Sequence, residues 1–67
     1  MKPILVAHTV IATKAQALEL VKRLNSYLLD DMSCEMAYVI DTYTEQLVNA
    51  GFLTWEEAEA AEIEAFC

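Results

Sequence analysis

The hydrophobic residues of the chain form one nearly unbroken run at the start and recur at helical spacing afterwards. Residues 1–12, MKPILVAHTVIA, form the run, and their Ile, Val and Thr content is typical of an extended strand. The run is too short to cross a bilayer and no convincing cleavage site follows it. Because a lone strand is unstable, we expect an arm packed over helices or a strand paired with its symmetry mate.

Apolar residues three and four positions apart predict a first helix over residues 14–29. Thr13 and Gln16 have the spacing of a capping box at its start. The predicted buried stripe consists of Ala17, Leu20, Val21, Leu24, Tyr27 and Leu28. The positions expected outside this stripe are Lys14, Glu19, Lys22, Arg23 and Asn25.

A second helix is predicted over residues 34–50, with Ser33 as its cap. The short connection, residues 30–33, favours an antiparallel helical hairpin. The predicted stripe of this helix consists of Met36, Val39, Ile40, Tyr43, Leu47 and Ala50. The positions expected largely outside it are Tyr38, Asp41, Thr42, Thr44, Glu45 and Gln46.

The sequence around Gly51 predicts a tight turn between the second and third helices. Gly51 can adopt the left-handed conformation that ends a helix, with Phe52 packing back onto it. Thr54 and Glu57 form a second capping-box pattern, which starts a third helix over residues 55–66. The apolar positions of this helix are Trp55, Ala58, Ala61, Ile63, Ala65 and Phe66.

The predicted fold is therefore mainly α: an N-terminal extended arm or short strand, an antiparallel helical hairpin and a third, acidic helix. The chain has 67 residues, of which 57% are hydrophobic. A domain of this size has too little volume to bury so much apolar surface, and oligomerisation is the common remedy. We therefore expect a homodimer. The residues predicted to form the core or the dimer contact are Ile4, Val6, Val10, Leu20, Leu24, Tyr27, Leu28, Val39, Ile40, Tyr43 and Leu47.

The charge of the chain is unevenly distributed. Residues 1–23 hold all four basic residues and one acid, a net +3, whereas residues 24–67 hold ten acids and no Lys or Arg, a net −10. The sequence pI near 4.3 argues against nucleic-acid binding, because a phosphate backbone repels such a protein. The acids either keep a hydrophobic protein soluble or present a surface to a basic partner.

The residue types that carry catalysis or bind metals are sparse. His8 lies in the apolar run with no Ser or Cys beside it, so a structural role is expected. Cys34 and Cys67 are expected to be reduced thiols, and with one histidine they do not make a zinc site. The acidic third helix has no calcium-binding loop. We therefore predict no catalytic residue, no metal, no cofactor and no enzymatic activity.

These observations favour a cytoplasmic, non-catalytic binding protein, an inhibitor or regulator that occupies a basic, possibly nucleic-acid-binding, surface of another protein. The residues predicted to contact this partner are Tyr38, Trp55, Glu56, Glu57, Glu59, Glu62 and Glu64. No nucleic acid and no membrane are expected as partners. One alternative is an accessory or structural subunit held in a larger assembly by apolar helix contacts. A second is a small DNA-binding dimer that uses Lys14, Lys22 and Arg23.

Two resemblances accompany this interpretation. Residues 43–59, YTEQLVNAGFLTWEEAE, look like the helix, Gly, hydrophobic, Thr, Glu-Glu pattern of short oligomerisation hairpins such as SHOCT domains. The pattern covers about a quarter of the chain, and helix capping alone produces it. In size, acidity and lack of catalytic motifs, the chain is similar to small phage proteins that bind and inhibit host proteins.

Overall fold

A β-hairpin followed by three helices makes up the fold. The structure is a computed structural model that describes residues 2–30 and 34–65. The strands are β1 (Ile4–Val6) and β2 (Thr9–Ile11), and the helices are α1 (Lys14–Asp30), α2 (Cys34–Asn49) and α3 (Trp55–Ala65). The prediction of a mainly α protein with three helices is confirmed. The predicted cap Ser33 and the last two residues, Phe66 and Cys67, lie outside the described residues.

The N-terminal segment is a hairpin rather than a single strand or arm, so this part of the prediction is wrong. β1 and β2 pair antiparallel within the chain, with Ile4 opposite Ile11 and Val6 opposite Thr9. Val6 and Ile11 are buried in the core, so the inner face of the hairpin covers the helices. The second strand therefore comes from the chain itself and not from a symmetry mate.

The turn of this hairpin explains why the sequence did not reveal it. Only Ala7 and His8 separate the strands, and both have positive φ, 50° and 62°. Two-residue hairpin turns with two left-handed residues normally use Asn-Gly or a similar pair, because other side chains crowd the backbone there. Ala-His carries no such signal, and the two strands therefore look like one apolar run.

Two capping boxes begin α1 and α3 as the sequence predicts. The amide of Gln16 donates to Thr13 Oγ1 (3.2 Å), and Gln16 Oε1 accepts from the amides of Thr13 and Ala12. At α3, the amide of Glu57 donates to Thr54 Oγ1 (3.1 Å), and the Thr54 amide donates to Glu57 Oε1 (3.0 Å). Both helix starts thus satisfy amides that have no partner within the helix.

A Schellman motif ends α2 at Gly51. The amide of Phe52 donates to the carbonyl of Leu47 (3.1 Å), that of Gly51 donates to Val48 (3.0 Å), and Gly51 has φ 88°. Phe52 and Leu47 are both fully buried, which is the hydrophobic contact that accompanies this motif. The predicted turn is confirmed, and it delivers the chain directly to the start of α3.

Helix α1 is the element on which the other two helices pack. The main helix contacts of α2 and of α3 are with α1 rather than with each other. Consequently the buried arc of α1 is wider than the predicted stripe and includes Asn25, which is 2% exposed. Thr44 on α2 is likewise buried, at 7% exposed. The prediction that these two polar residues lie outside the stripes is therefore wrong.

The predicted core residues divide into three groups. Val6, Leu20, Leu24, Ile40 and Leu47 are buried, whereas Ile4, Leu28 and Tyr43 are partly buried against the core. The exposed group consists of Val10, Tyr27 and Val39, and the prediction of a core position within the single chain is wrong for these three.

The exposed members have simple geometric causes. Val10 alternates outward from the hairpin beside its cross-strand partner Leu5. The buried arc of α1 extends towards Asn25 and leaves Tyr27 at its edge. The arc of α2 similarly extends towards Thr44 and leaves Val39 at the edge. Whether any of the three contacts a second copy stays a prediction.

The positive φ angles at Ala7 and His8 predict that the wild-type turn destabilises the fold. Replacing the pair by Ala7→Asn and His8→Gly should raise the free energy of unfolding by about 1 kcal/mol, because left-handed backbone costs non-glycine residues about that much. Urea unfolding followed by helical circular dichroism measures the change.

Ala15→Gly is the control for this experiment, since Ala15 is exposed within α1. Glycine there should lower stability by roughly 0.5–1 kcal/mol. A turn variant that is less stable than the wild type would show that Ala7 and His8 are not both left-handed.

Candidate partner-binding groove

A groove of about 480 Å³ runs between α2 and α3, with α1 beneath it. It exists because both flanking helices pack on α1 and not closely on each other. We call its buried and partly buried lining residues the floor and its exposed lining residues the rim. The floor consists of Val21, Asn25, Leu28, Ile40, Thr44 and Ala58. The rim consists of Ala37, Asp41, Trp55, Glu59 and Glu62.

The floor is apolar except at Asn25 and Thr44. Asn25 Nδ2 donates to the carbonyl of Val21, one helical turn earlier, at 2.8 Å. Asn25 Oδ1 and Thr44 Oγ1 accept no hydrogen bond from any described residue. Neither oxygen is completely shielded from solvent. Both oxygens therefore keep access to solvent where they line the groove, although their residues are more than nine-tenths buried.

The rim carries three carboxylates and one large aromatic side chain. Trp55, Glu59 and Glu62 lie four and then three residues apart on α3, the spacing that places side chains on one face of a helix. Asp41 faces the groove from α2. The described lining residues include no Lys or Arg, and their formal charge is −3. Trp55 is 53% exposed, which leaves much of its indole surface open to a ligand.

The opposite side of α3 uses its carboxylates within the molecule. Lys14 at the start of α1 forms an ion pair with Glu57, and Lys22 Nζ lies 3.1 Å from Glu64 Oε2. Lys14 and Glu57 both lie near the start of their helices, and Lys22 and Glu64 both lie further along. The two helices α1 and α3 therefore run in the same direction. The buried residues Ala58 and Ala61 lie on α3, and their small side chains permit a close approach. Arg23 pairs with Glu19 at 3.7 Å on α1 itself.

Glu57 is the titratable group whose surroundings most clearly favour one charge state. The hydrogen bond from the Lys14 ammonium, followed by that from the Thr54 amide, lowers the pKa of its carboxyl below the ordinary value of 4.5. A lowered carboxyl pKa stabilises the fold above the unfolded pKa, and this contribution is lost as pH falls through the folded value. The ion pair with Lys14 holds this carboxylate on the α1 side, away from the groove.

The structure separates the residues predicted to contact a partner. Trp55, Glu59 and Glu62 come together at the rim, whereas Glu57 and Glu64 pair with lysines of α1. Glu56 is exposed outside the groove. Tyr38 is 74% exposed but does not line the groove either.

Sequence reasoning missed Asp41, Asn25 and Thr44 as lining residues. The available signal was spacing: Asn25 follows Val21 by four residues, and Thr44 follows Ile40 by four. Each polar residue therefore lies one turn from a buried apolar residue, on the same side of its helix.

The other described residues weighed for catalysis or metal binding lie at the surface or apart from one another. His8 is exposed at the hairpin turn, and Cys34 is exposed and forms no disulfide. In residues 2–30 and 34–65, no three side chains of the His, Cys, Asp and Glu types are placed so that they could hold a metal ion. Within the same residues, no helix combines the length and apolar character needed to cross a bilayer.

No protein-family model, curated protein or solved structure matches this chain. The likeness of residues 43–59 to SHOCT hairpins therefore rests on the Schellman motif at Gly51 and the capping box of Thr54 and Glu57. The groove itself carries the functional argument.

Proposed function

We propose that the chain is a non-catalytic protein-binding protein, an inhibitor or regulator that presents the groove to a basic surface of its partner. The observation that carries the proposal is an open apolar floor bordered by three carboxylates and a half-exposed tryptophan. Desolvated apolar contact supplies affinity at such sites, and surrounding charge supplies orientation and association rate. The partner's surface is basic, and nucleic-acid-binding surfaces are one class that meets this requirement.

The ion pairs support this assignment and weigh against a DNA-binding role. Lys14, Lys22 and Arg23 are paired with acids of the same chain. A phosphate backbone would have to displace those acids while facing a chain with a net charge of −7. The groove carboxylates, in contrast, face no Lys or Arg among the lining residues.

The proposal predicts that the partner is recognised through the rim carboxylates. The immobilised chain should capture a basic protein from an extract of its native host. The association rate of the complex should be at least about tenfold lower in high salt than in low salt. Reversing two rim charges with Glu59→Lys and Glu62→Lys should abolish capture. Mass spectrometry identifies the protein, and surface plasmon resonance measures the rates.

The matched control is the pair Glu45→Lys and Glu56→Lys, which changes the net charge equally at exposed positions outside the groove. It should retain capture. The proposal fails if no protein is captured by the control variant and lost by the Glu59→Lys, Glu62→Lys variant. It also fails if the protein that this rim variant loses is acidic.

The accessory-subunit alternative and the predicted homodimer share one observation, the outward apolar pair on the hairpin. Leu5 is 67% and Val10 is 61% exposed, and they face each other across the strands. We propose that this pair contacts a second copy of the chain. Sedimentation equilibrium should then give twice 7.5 kDa, and Leu5→Lys with Val10→Lys should give 7.5 kDa. A wild-type monomer at micromolar concentration would contradict the dimer.

A further inference from the structure

We infer that the groove binds the side chain of an arginine from the partner, with the guanidinium at the rim and floor oxygens and the aliphatic stem on the apolar floor. The inference rests on the proposed protein-binding function and gives that function its ligand chemistry. Three observations carry it: the acceptors that line the groove, the apolar surface beneath them, and the half-exposed indole beside them.

The first observation is that the polar groups open to the groove are chiefly acceptors. Asp41, Glu59 and Glu62 contribute carboxylates, and none of them is paired with a Lys or Arg of the described chain. Beneath them, Asn25 Oδ1 accepts no hydrogen bond from any described residue, while Nδ2 of the same side chain donates to the carbonyl of Val21. A ligand with several donors and no acceptor complements this arrangement, and the guanidinium has five N–H donors and no acceptor.

The two floor oxygens are the part of this arrangement that points most directly to a ligand. Asn25 and Thr44 are 2% and 7% exposed, and both residues line the groove, where their oxygens keep some contact with solvent. An apolar occupant would remove these oxygens from water without replacing the lost hydrogen bonds, which is costly, so a ligand that brings a donor into the groove is favoured. Asn25 comes from α1 and Thr44 from α2, so the acceptors are spread across two helices rather than clustered.

The remaining surfaces suit an arginine better than a lysine. Leu28 is only partly buried in the lining, and together with the edges of Ile40 and Ala58 it offers apolar contact on which a long side-chain stem packs. Trp55 exposes an indole, on which a guanidinium stacks favourably, four residues before Glu59. A lysine ammonium is a compact, strongly hydrated charge with three donors, and it would leave more of the separated acceptors unsatisfied.

The spread of the carboxylates also separates this site from a cation-chelating site. Asp41, Glu59 and Glu62 line one groove, yet no three described carboxylates are placed to share a metal ion. A guanidinium has five N–H donors that point outwards in one plane, so it can bond to carboxylates that are too far apart to share one metal ion. The geometry therefore points to a guanidinium.

The test titrates the chain with N-acetyl-arginine methylamide and, in parallel, with N-acetyl-lysine methylamide. Trp55 is the single tryptophan, so its indole N–H gives one assignable proton–nitrogen correlation. The arginine ligand should shift this signal saturably with a dissociation constant on the order of millimolar, the range for one side chain. The lysine ligand should bind at least about threefold more weakly.

Variants locate the site. Glu59→Gln with Glu62→Gln should weaken arginine binding several-fold, whereas Glu45→Gln with Glu56→Gln, outside the groove, should leave it unchanged. Thr44→Val removes a floor oxygen with little change of shape and should also weaken binding. If that variant does not fold, the rim pair alone decides. Shifts that grow linearly, that are equal for arginine and lysine, or that persist in the rim variant overturn the inference.

The inference and the proposed function fail separately. A basic partner captured through the rim, combined with no saturable arginine binding, would refute the arginine inference and leave the protein-binding function standing. Saturable arginine binding at the groove without a rim-dependent partner would refute the protein-binding function.

Discussion

The packing of both α2 and α3 on α1 is the constraint on which the rest of this structure depends. One helix supplies the common surface, so the two flanking helices need not contact each other along their length. Their separation creates the groove, and the same wide arc of α1 that serves both helices brings Asn25 to the groove floor. The hairpin covers another part of the core through Val6 and Ile11.

The same packing places some carboxylates of α3 against lysines of α1 and others at the groove. Along the α1 contact, Glu57 and Glu64 neutralise Lys14 and Lys22, in keeping with the parallel direction of α1 and α3. Surface ion pairs contribute little stability individually, so their more important effect is on the remaining charge. Glu59 and Glu62, on the groove side, are left without a basic neighbour in the groove lining. A chain with the same net charge but uniformly exposed acids would have no such directed surface.

Local rules predicted most of the fold because its helix ends are set by local interactions. The two capping boxes and the Gly51 turn involve residues at most five positions apart, and their sequence signals are specific. The hairpin was not predictable in this way, since Ala7 and His8 adopt left-handed backbone without the usual residues.

The candidate site was predictable only in part. Trp55, Glu59 and Glu62 follow from the pattern of α3, but the division of the acids depends on how α3 lies against α1. Asn25 and Thr44 were expected at the surface because polar residues usually are. Only the three-helix arrangement shows that both face a shared groove.

Quenching of Trp55 fluorescence by caesium and by iodide tests whether the indole lies half exposed in a locally acidic groove. Each quenching constant is divided by that of N-acetyltryptophanamide. This position of the indole predicts that caesium quenches far more effectively than iodide. Glu59→Gln with Glu62→Gln should largely remove the difference, whereas Glu45→Gln with Glu56→Gln should not. An indole that neither ion quenches, or equal normalised quenching by both ions, would contradict it.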